Sequence, residues 1–181
     1  MPLPSKDDVI GFWREAGPDR WFAKDEAFDA AIRTRFLDLY EAASRGELAS
    51  FEETPQGALA LVILLDQFPR NLFRGSPRAF ATDAKARGVA ERALARGFDR
   101  QCDQELVTFL YMPLMHSERL GDQERCVALF EALGLPENLS AAKRHRDIIA
   151  SFGRFPHRNG VLGRATTAEE QRYLDEDGFK G

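Results

Sequence analysis

The chain has 181 residues, of which 44% are hydrophobic, and its formal net charge is −4 at pH 7. This length and apolar content suit one compact unit with a core, so we predict a single domain over residues 1–181. A negative net charge argues against a nucleic-acid partner, because phosphate binding needs a basic face. The two cysteines, Cys102 and Cys126, make neither a disulfide framework nor a CxxC motif.

Two features of the sequence argue against a secretory or membrane protein. Residues 1–9 lack the basic and apolar regions of a signal peptide. The longest apolar run, Ala58–Leu65, is far shorter than the ~20 residues that a membrane-spanning helix needs. We therefore expect a cytoplasmic protein with no membrane partner, and the sequence leaves its oligomeric state open.

Capping residues mark the ends of the predicted helices. Their starts fall at side chains suited to N-capping: Ser5, Asp25, Thr54, Thr82, Asp103, Asp122, Ser140 and Thr167. Their ends fall at glycines or prolines: Gly17, Gly46, Phe68-Pro69, Gly97, Gly134 and Gly153. Pro113 should kink or restart the helix that begins at Asp103. No segment alternates as a strand does, so we predict an all-α protein of about eight helices in stacked antiparallel pairs.

The central helix begins at Thr54-Pro55 and carries an acid in an apolar setting. Residues 58–65 are apolar on every face, which predicts burial all round. Asp66 shares a face with these residues, and a buried carboxylate must be paired or neutral. We expect either an ion pair that locks the helix end or a general base. The candidate partners are Arg70, Arg74 and Arg154.

Two similar segments contain the sequence Phe-Pro followed by arginine and asparagine. The first is Phe68-Pro69-Arg70-Asn71, and the second is Phe155-Pro156-His157-Arg158-Asn159. Arginine suits bidentate contacts with carboxylate or phosphate, so the segments suggest an anion site. The alternative is that these arginines cap helix ends and pair with nearby acids, such as Asp66, Asp147 and Glu118.

The chain has three histidines: His116, His145 and His157. Each stands beside polar residues at a helix end or break, where functional residues tend to lie. We therefore expect a shared site, although an inward-facing histidine such as His145 also suits a satisfied core position. Histidine and carboxylate are acceptable zinc ligands, but no HExxH or CxxC spacing is present. We predict no metal and no cofactor.

Four long motifs cover nearly the whole chain: Phe12–Asp25, Thr54–Asp83, Met112–Gln123 and His145–Arg164. In these motifs the sequence resembles the uncharacterised bacterial family called domain of unknown function 924. The resemblance implies an all-helical fold arranged as a tetratricopeptide-like right-handed array. It implies no established activity, so it assigns no catalytic role to any residue.

Three hypotheses about function follow. The first is an internal polar pocket that binds a small anionic molecule or a peptide carboxylate. Its ligand-binding residues would be Arg70, Asn71, Glu118, Arg154, His157, Arg158 and Asn159. The second is a hydrolase-like enzyme with His116 or His145 as general base and Asp66 as its orienting partner. The third is a tetratricopeptide-like interaction scaffold with an exposed groove of apolar and basic residues.

Overall fold

The structure is a computed structural model that describes residues 3–177. The α-helices are α1 (Lys6–Ala16), α2 (Pro18–Trp21), α3 (Glu26–Arg45), α4 (Pro55–Val62), α5 (Phe68–Leu72), α6 (Asp83–Ala95), α7 (Val107–Met115), α8 (Leu120–Leu133), α9 (Pro136–Phe152) and α10 (Ala168–Asp177). Short 3-10 helices span Ala49–Glu53, Pro77–Phe80, Phe98–Gln101 and Pro156–Arg158. Residues 3–177 contain no strand, so the all-α prediction is confirmed.

Several predicted helix ends are confirmed by the geometry of their caps. The Ser5 hydroxyl accepts the Asp8 N–H, and the Asp8 carboxylate accepts the Ser5 N–H in return. The same reciprocal pair joins Thr167 and Glu170 at the start of α10. At the other ends, glycines stand in the left-handed region that ends a helix, as at Gly46, Gly134 and Gly153.

Three predicted helix starts are wrong. Helix α9 begins at Pro136, whose fixed φ suits the first helical position, so Ser140 lies inside the helix. Helix α7 begins at Val107, because the Asp103 carboxylate accepts the Glu105 N–H in a preceding turn. Helix α8 begins at Leu120, which places Asp122 in its first turn.

The central helix does not end at Phe68-Pro69. Helix α4 continues through a π-helical turn, Ile63–Gln67, into α5, and the Phe68 N–H bonds to the Ile63 carbonyl. Pro69 has no N–H to offer the Leu65 carbonyl four residues earlier. The buried Thr82 hydroxyl donates to that carbonyl instead, at 2.6 Å. A tertiary hydrogen bond therefore replaces the one that proline removes.

The described chain divides into two compact units, and the boundary falls inside α7. Unit 1 holds the residues up to Arg74 together with Arg78–Pro113. Unit 2 holds Gly75–Pro77 and the residues from Leu114 onward. Whether the two units behave as the single domain predicted for residues 1–181 stays a prediction.

Unit 1 is built around α4 and the π-helical turn. Helices α1 and α6 pack against α4, while α3 and α6 pack against the turn. Every residue of Ala58–Leu65 is buried, which confirms the prediction from its apolar faces. Aromatic rings fill the adjoining core: Phe12, Trp13, Trp21, Phe28, Phe36, Phe68 and Phe109. The acid at position 66 therefore follows the most buried part of the unit.

Unit 2 is built around α8 and α9, which pack along each other. The loop between α9 and α10 folds back, so that Phe155 joins Ile148 and Ile149 in a small apolar core. Phe152 and Tyr173 pack against this core from its edge. In neither unit does a described helix have the length and hydropathy that crossing a membrane requires.

Candidate functional site

The predicted site residues fall into two groups, one in each unit. Unit 1 holds Asp66, Arg70 and Asn71. Unit 2 holds His116, Glu118, His145, Arg154, His157, Arg158 and Asn159. The two Phe-Pro segments therefore belong to different units, and the geometry of each group is described separately.

In unit 1, Asp66 is fully buried and hydrogen bonded. Its Oδ2 accepts the Gln67 side-chain amide at 2.6 Å. Its Oδ1 lies 3.5 Å from Nη1 of Arg70, four residues along the chain. Arg70 Nη1 also donates to the Asp66 carbonyl at 2.5 Å. The predicted ion pair is confirmed, and Arg70 is its arginine.

Arg70 and Asn71 both have carboxylate partners within unit 1. Arg70 makes a bidentate pair with Asp83, at 2.9 and 3.1 Å. Burial opposes the charge of Arg70, but the two carboxylates outweigh it and raise the pKa of the guanidinium. The Asn71 amide donates to Asp29 at 2.8 Å, and Asp29 also pairs with Arg74. These donors hold α3, α5 and α6 together.

In unit 2, Arg154 pairs with Glu170, an acid that the sequence analysis did not select. Nε and Nη2 of Arg154 donate to the two Glu170 oxygens at 2.6 and 2.8 Å. The Asn159 amide and the Thr167 N–H donate to the same carboxylate. The hydrogen bond from Arg154 is the largest cause that lowers the Glu170 pKa, to about 2. The one sequence signal for Glu170 is its position three residues after the N-cap Thr167, which is the spacing of a capping box.

A second pair, Glu118 and Arg164, closes the loop between α9 and α10. Arg164 binds Glu118 bidentately at 2.8 and 3.0 Å, and donates to Asn159 Oδ1 and to the Phe155 carbonyl. The Glu118 carboxylate also accepts the Phe155 N–H at 2.8 Å. Burial opposes its charge, but the bonds from Arg164 and Phe155 lower the Glu118 pKa. Glu118 and Asn159 therefore fix the loop backbone.

The three histidines form a chain of ring contacts in unit 2, and two of them lie against Phe155. The rings of His145 and His157 each lie 5.6 Å from the Phe155 ring. The His116 ring lies 6.5 Å from that of His145. The buried Arg158 guanidinium lies 4.5 Å from the centre of the Phe155 ring. We call these three histidines with Phe155 and Arg158 the histidine cluster.

Burial keeps two of these histidines neutral. It lowers the pKa of His145 to about 4, and the charge of Arg158 acts in the same direction. Burial and Arg158 likewise lower the pKa of His157 to about 4. Nδ1 of His145 lies 2.7 Å from the Ala141 carbonyl. In the neutral ring this nitrogen is therefore the donor, and Nε2 presents a lone pair.

The described residues include no set of three or more His, Cys, Asp or Glu side chains placed to hold a metal ion. Of the histidine cluster, His145 and His157 pack on the Phe155 ring, and the Arg158 guanidinium lies over the same ring. Burial raises the pKa of Cys102 to about 11 and that of Cys126 to about 12. Both thiols are therefore protonated at neutral pH, which makes them poor nucleophiles.

Two surface grooves lie in unit 1. One of about 320 Å³ is lined by Phe12, Glu15, Ala16, Arg20, Asp25, Ala27, Phe28, Ala31 and Arg35. The other, of about 250 Å³, is lined by Ala43, Gly46, Leu48, Ala49, Glu52, Leu61, Leu65, Ala84, Lys85, Gly88, Val89 and Arg92. Neither set includes a residue that the sequence analysis selected for the site.

Comparison with known proteins gives a family and a fold. Residues 9–178 match the model of a bacterial protein family of unknown function, DUF924. A solved structure of a protein of unknown function from Agrobacterium tumefaciens is 48% identical, with a TM-score of 0.91. The match covers 94% of this chain and 97% of that one. No curated protein matches the chain. The chain therefore belongs to the bacterial family DUF924, whose function is unknown.

Proposed function

We propose that this is a cytoplasmic protein that binds a small anion, or the carboxylate of a peptide, at its histidine cluster. The observation that carries the proposal is that His145 and His157 contact Phe155 beside Arg158, with His116 next to His145. The charge of Arg158 lowers the pKa of both His145 and His157, and Arg144 adds to the effect at His145. A positive potential of this kind favours an anionic ligand.

The remaining polar residues of unit 2 support the cluster by fixing its backbone. Glu118, Arg154 and Asn159 are hydrogen bonded to other groups of the same unit. They bind the loop that carries Phe155 and His157 to Glu118 and to Glu170 of α10. We therefore assign ligand contact to the histidines and a structural role to these three residues.

An anion at this site would change the protonation of the histidines. Its charge would stabilise the imidazolium form and raise the pKa of His145 and His157 from their value of about 4. Between that value and the ordinary histidine pKa of about 6.5, the protein would then take up protons on binding. Affinity for the anion should rise as pH falls through this range.

Proton NMR tests the proposal directly, because three histidines give three Hε1 signals. Each signal is followed from pH 3.5 to 8 in sodium chloride, and again with sulfate, acetate or citrate at equal ionic strength. We expect one of these anions to raise the apparent pKa of His145 and His157 together by about one unit, which corresponds to tenfold tighter binding to the protonated form.

Two variants sharpen the NMR experiment. His157→Gln should weaken binding of that anion and leave the His145 signal less responsive. Arg146→Gln is the matched control, because Arg146 lies on α9 in an exposed pair with Asp147. If none of the anions moves any histidine pKa, or if R146Q weakens binding as much as H157Q, the proposed site is wrong.

A hydrolase-like enzyme is a second candidate, favoured by the geometry of His145. The contact between Nδ1 and the Ala141 carbonyl fixes the ring and leaves Nε2 as the basic nitrogen. A pKa of about 4 keeps this nitrogen unprotonated at neutral pH but makes it a weak base. Ester hydrolysis faster than free imidazole achieves, retained in H116A and lost in a folded H145A variant, would support this candidate over simple binding.

An interaction scaffold is the third candidate, and the tetratricopeptide-like array that it assumes stays a prediction. A scaffold of this kind needs an extended exposed groove. The two grooves described for unit 1 measure about 320 and 250 Å³, close to the lower limit of about 300 Å³ for small-molecule sites. Grooves of this size suit a small ligand better than a docked protein.

A further inference from the structure

The larger groove of unit 1 has a different chemistry from the histidine cluster. It runs between α1 and α3, and the rings of Phe12 and Phe28 stack along it, 5.4 Å apart and within 4° of parallel. Phe28 is buried, so the accessible apolar surface of the groove comes from the half-buried Phe12 together with Ala16 and Ala31. The result is an apolar floor suited to a flat or aliphatic group.

Arg35 lines this groove and differs from the other arginines of unit 1. Its guanidinium lies over two rings, 4.9 Å from the centre of Phe12 and 5.1 Å from that of Phe36. Arg70 and Arg74, in contrast, form close ion pairs with aspartates. Within residues 3–177, Arg35 makes no hydrogen bond and no ion pair, and its side chain is exposed. Stacking fixes the plane of the guanidinium and leaves its N–H edge available.

The charges lining the groove suggest how a ligand would be oriented. Asp25 caps α3 by accepting the N–H groups of Ala27 and Phe28, so the helix terminus offsets its charge. Arg20 lies 4.0 Å from Asp25, too far for a hydrogen bond. Glu15 also lines the groove and would repel a carboxylate near it. Arg20 and Arg35 are therefore the two cations of the groove, and Arg35 is the one whose guanidinium plane is fixed by stacking on aromatic rings.

We propose that this groove binds a small carboxylic acid, with its apolar body on Phe12, Ala16 and Ala31 and its carboxylate on Arg35. A carboxylate matches the two parallel N–H donors of a guanidinium edge, whereas a neutral amide loses the charge. The volume of about 320 Å³ accommodates a small molecule of this kind. The site lies in unit 1 and is independent of the function proposed for unit 2.

The test uses 3-phenylpropionate as the probe, with 3-phenylpropionamide as its neutral counterpart and acetate as the acid without an apolar body. Binding is measured from amide shifts of the ¹⁵N-labelled protein at low ionic strength, since salt screens exposed charges. We expect 3-phenylpropionate to shift the amides of Phe12, Phe28 and Ala31. The amide and acetate should each bind at least about tenfold more weakly, because each lacks one of the two contacts.

Variants of α3 decide whether Arg35 is the anchor. R35Q should weaken binding of 3-phenylpropionate by about tenfold or more, and R35K by less, because lysine keeps the charge without the fork. R45Q is the matched control: Arg45 lies on the same helix, pairs with Glu47 and lies outside the groove. An unchanged spectrum for each free variant outside α1 and α3 shows that it folds.

Three outcomes would overturn the proposal. They are equal binding of the acid and the amide, no loss in R35Q, and shifts confined to residues outside α1 and α3. The histidine signals of unit 2 give a separate readout, since R35Q should leave any response of those signals to the probe unchanged. Failure of this site and failure of the histidine cluster can thus be distinguished.

Discussion

Glu170 and Arg154 illustrate how a single residue acquires its role in this protein. From the sequence, Arg154 is a candidate ligand-binding residue and a candidate partner for Asp66. In the structure its guanidinium holds Glu170, whose side chain is 4% exposed. Spacing identifies pairs within one helix turn, as for Asp66 and Arg70, but Arg154 and Glu170 are 16 residues apart. Their contact depends on how the intervening loop folds.

The first prediction concerns this carboxylate. Glu170→Gln should lower the free energy of unfolding by about 2 kcal/mol at pH 7, because it weakens charge-assisted hydrogen bonds to a buried group. The neighbouring Glu169 is exposed, so Glu169→Gln should change stability by less than about 0.5 kcal/mol. Urea denaturation of both variants provides the comparison, and equal effects would contradict the role given to Glu170.

Glu170 also predicts how the stability of the protein changes at acidic pH. The folded-state pKa of Glu170 is about 2, below the ordinary value of 4.5. Its contribution should therefore be complete above pH 4.5 and decline as pH falls toward 2. In Glu170→Gln this part of the stability profile should be flatter than in the wild-type protein.

The histidines determine how stability depends on pH in a second, higher range. His145 and His157 have folded pKa values of about 4, below the ordinary value of 6.5, so the unfolded chain binds more protons between these limits. Stability should be constant above pH 6.5 and fall as pH drops toward 4, by up to about 3 kcal/mol per histidine. Urea midpoints at pH 7, 6, 5 and 4.5 measure this slope. If the slope is unchanged in H157Q, His157 contributes nothing to the pH dependence of stability.

At the scale of elements, the continuation from α4 into α5 shows where local rules are insufficient. Proline at position 69 predicts a helix end, since it removes one hydrogen bond and crowds the preceding turn. The chain instead adopts a π-helical turn, and Thr82 satisfies the Leu65 carbonyl. Thr82 was selected as a cap for α6, but its side chain makes no capping bond there. Its hydroxyl instead donates to the Leu65 carbonyl in the π-helical turn.

A prediction about this junction concerns the Thr82 hydroxyl. Thr82→Val should destabilise the protein by about 1–3 kcal/mol, because it leaves a buried carbonyl without a donor. The Thr82 hydroxyl also bonds to Tyr40, so Tyr40→Phe is the matched control that removes only that contact. Thermal or urea unfolding compares the two, and the larger loss is expected for T82V. An equal loss would assign the effect to Tyr40.

At the scale of the whole molecule, the described chain forms two compact units, whereas its length predicts one domain. Helix α7 runs through the boundary, and Pro113 lies inside it without ending it. The helix therefore does not restart at Pro113, and α7 is shared by both units. Shared secondary structure couples the unfolding of the segments that it joins.

The final prediction is cooperative unfolding of both units. Calorimetry should show a single transition in which the calorimetric and van't Hoff enthalpies agree. Helix α7 carries residues of both units, so we expect the unfolding of one unit to weaken the end of the helix that the other unit holds. Two separate transitions, or a ratio of calorimetric to van't Hoff enthalpy well above one, would show independent units and contradict the single domain.

The sequence by itself determined the helical class, most helix ends and the burial of Ala58–Leu65, and it offered Arg70 as one of three candidate partners of Asp66. These features depend on periodicity, capping residues and contacts within a helical turn, which are local. The tertiary structure alone decided the partner of Arg154, the passage through Pro69 and the contacts among the three histidines and Phe155. Each depends on residues distant in the chain, whose proximity is fixed only when the helices pack.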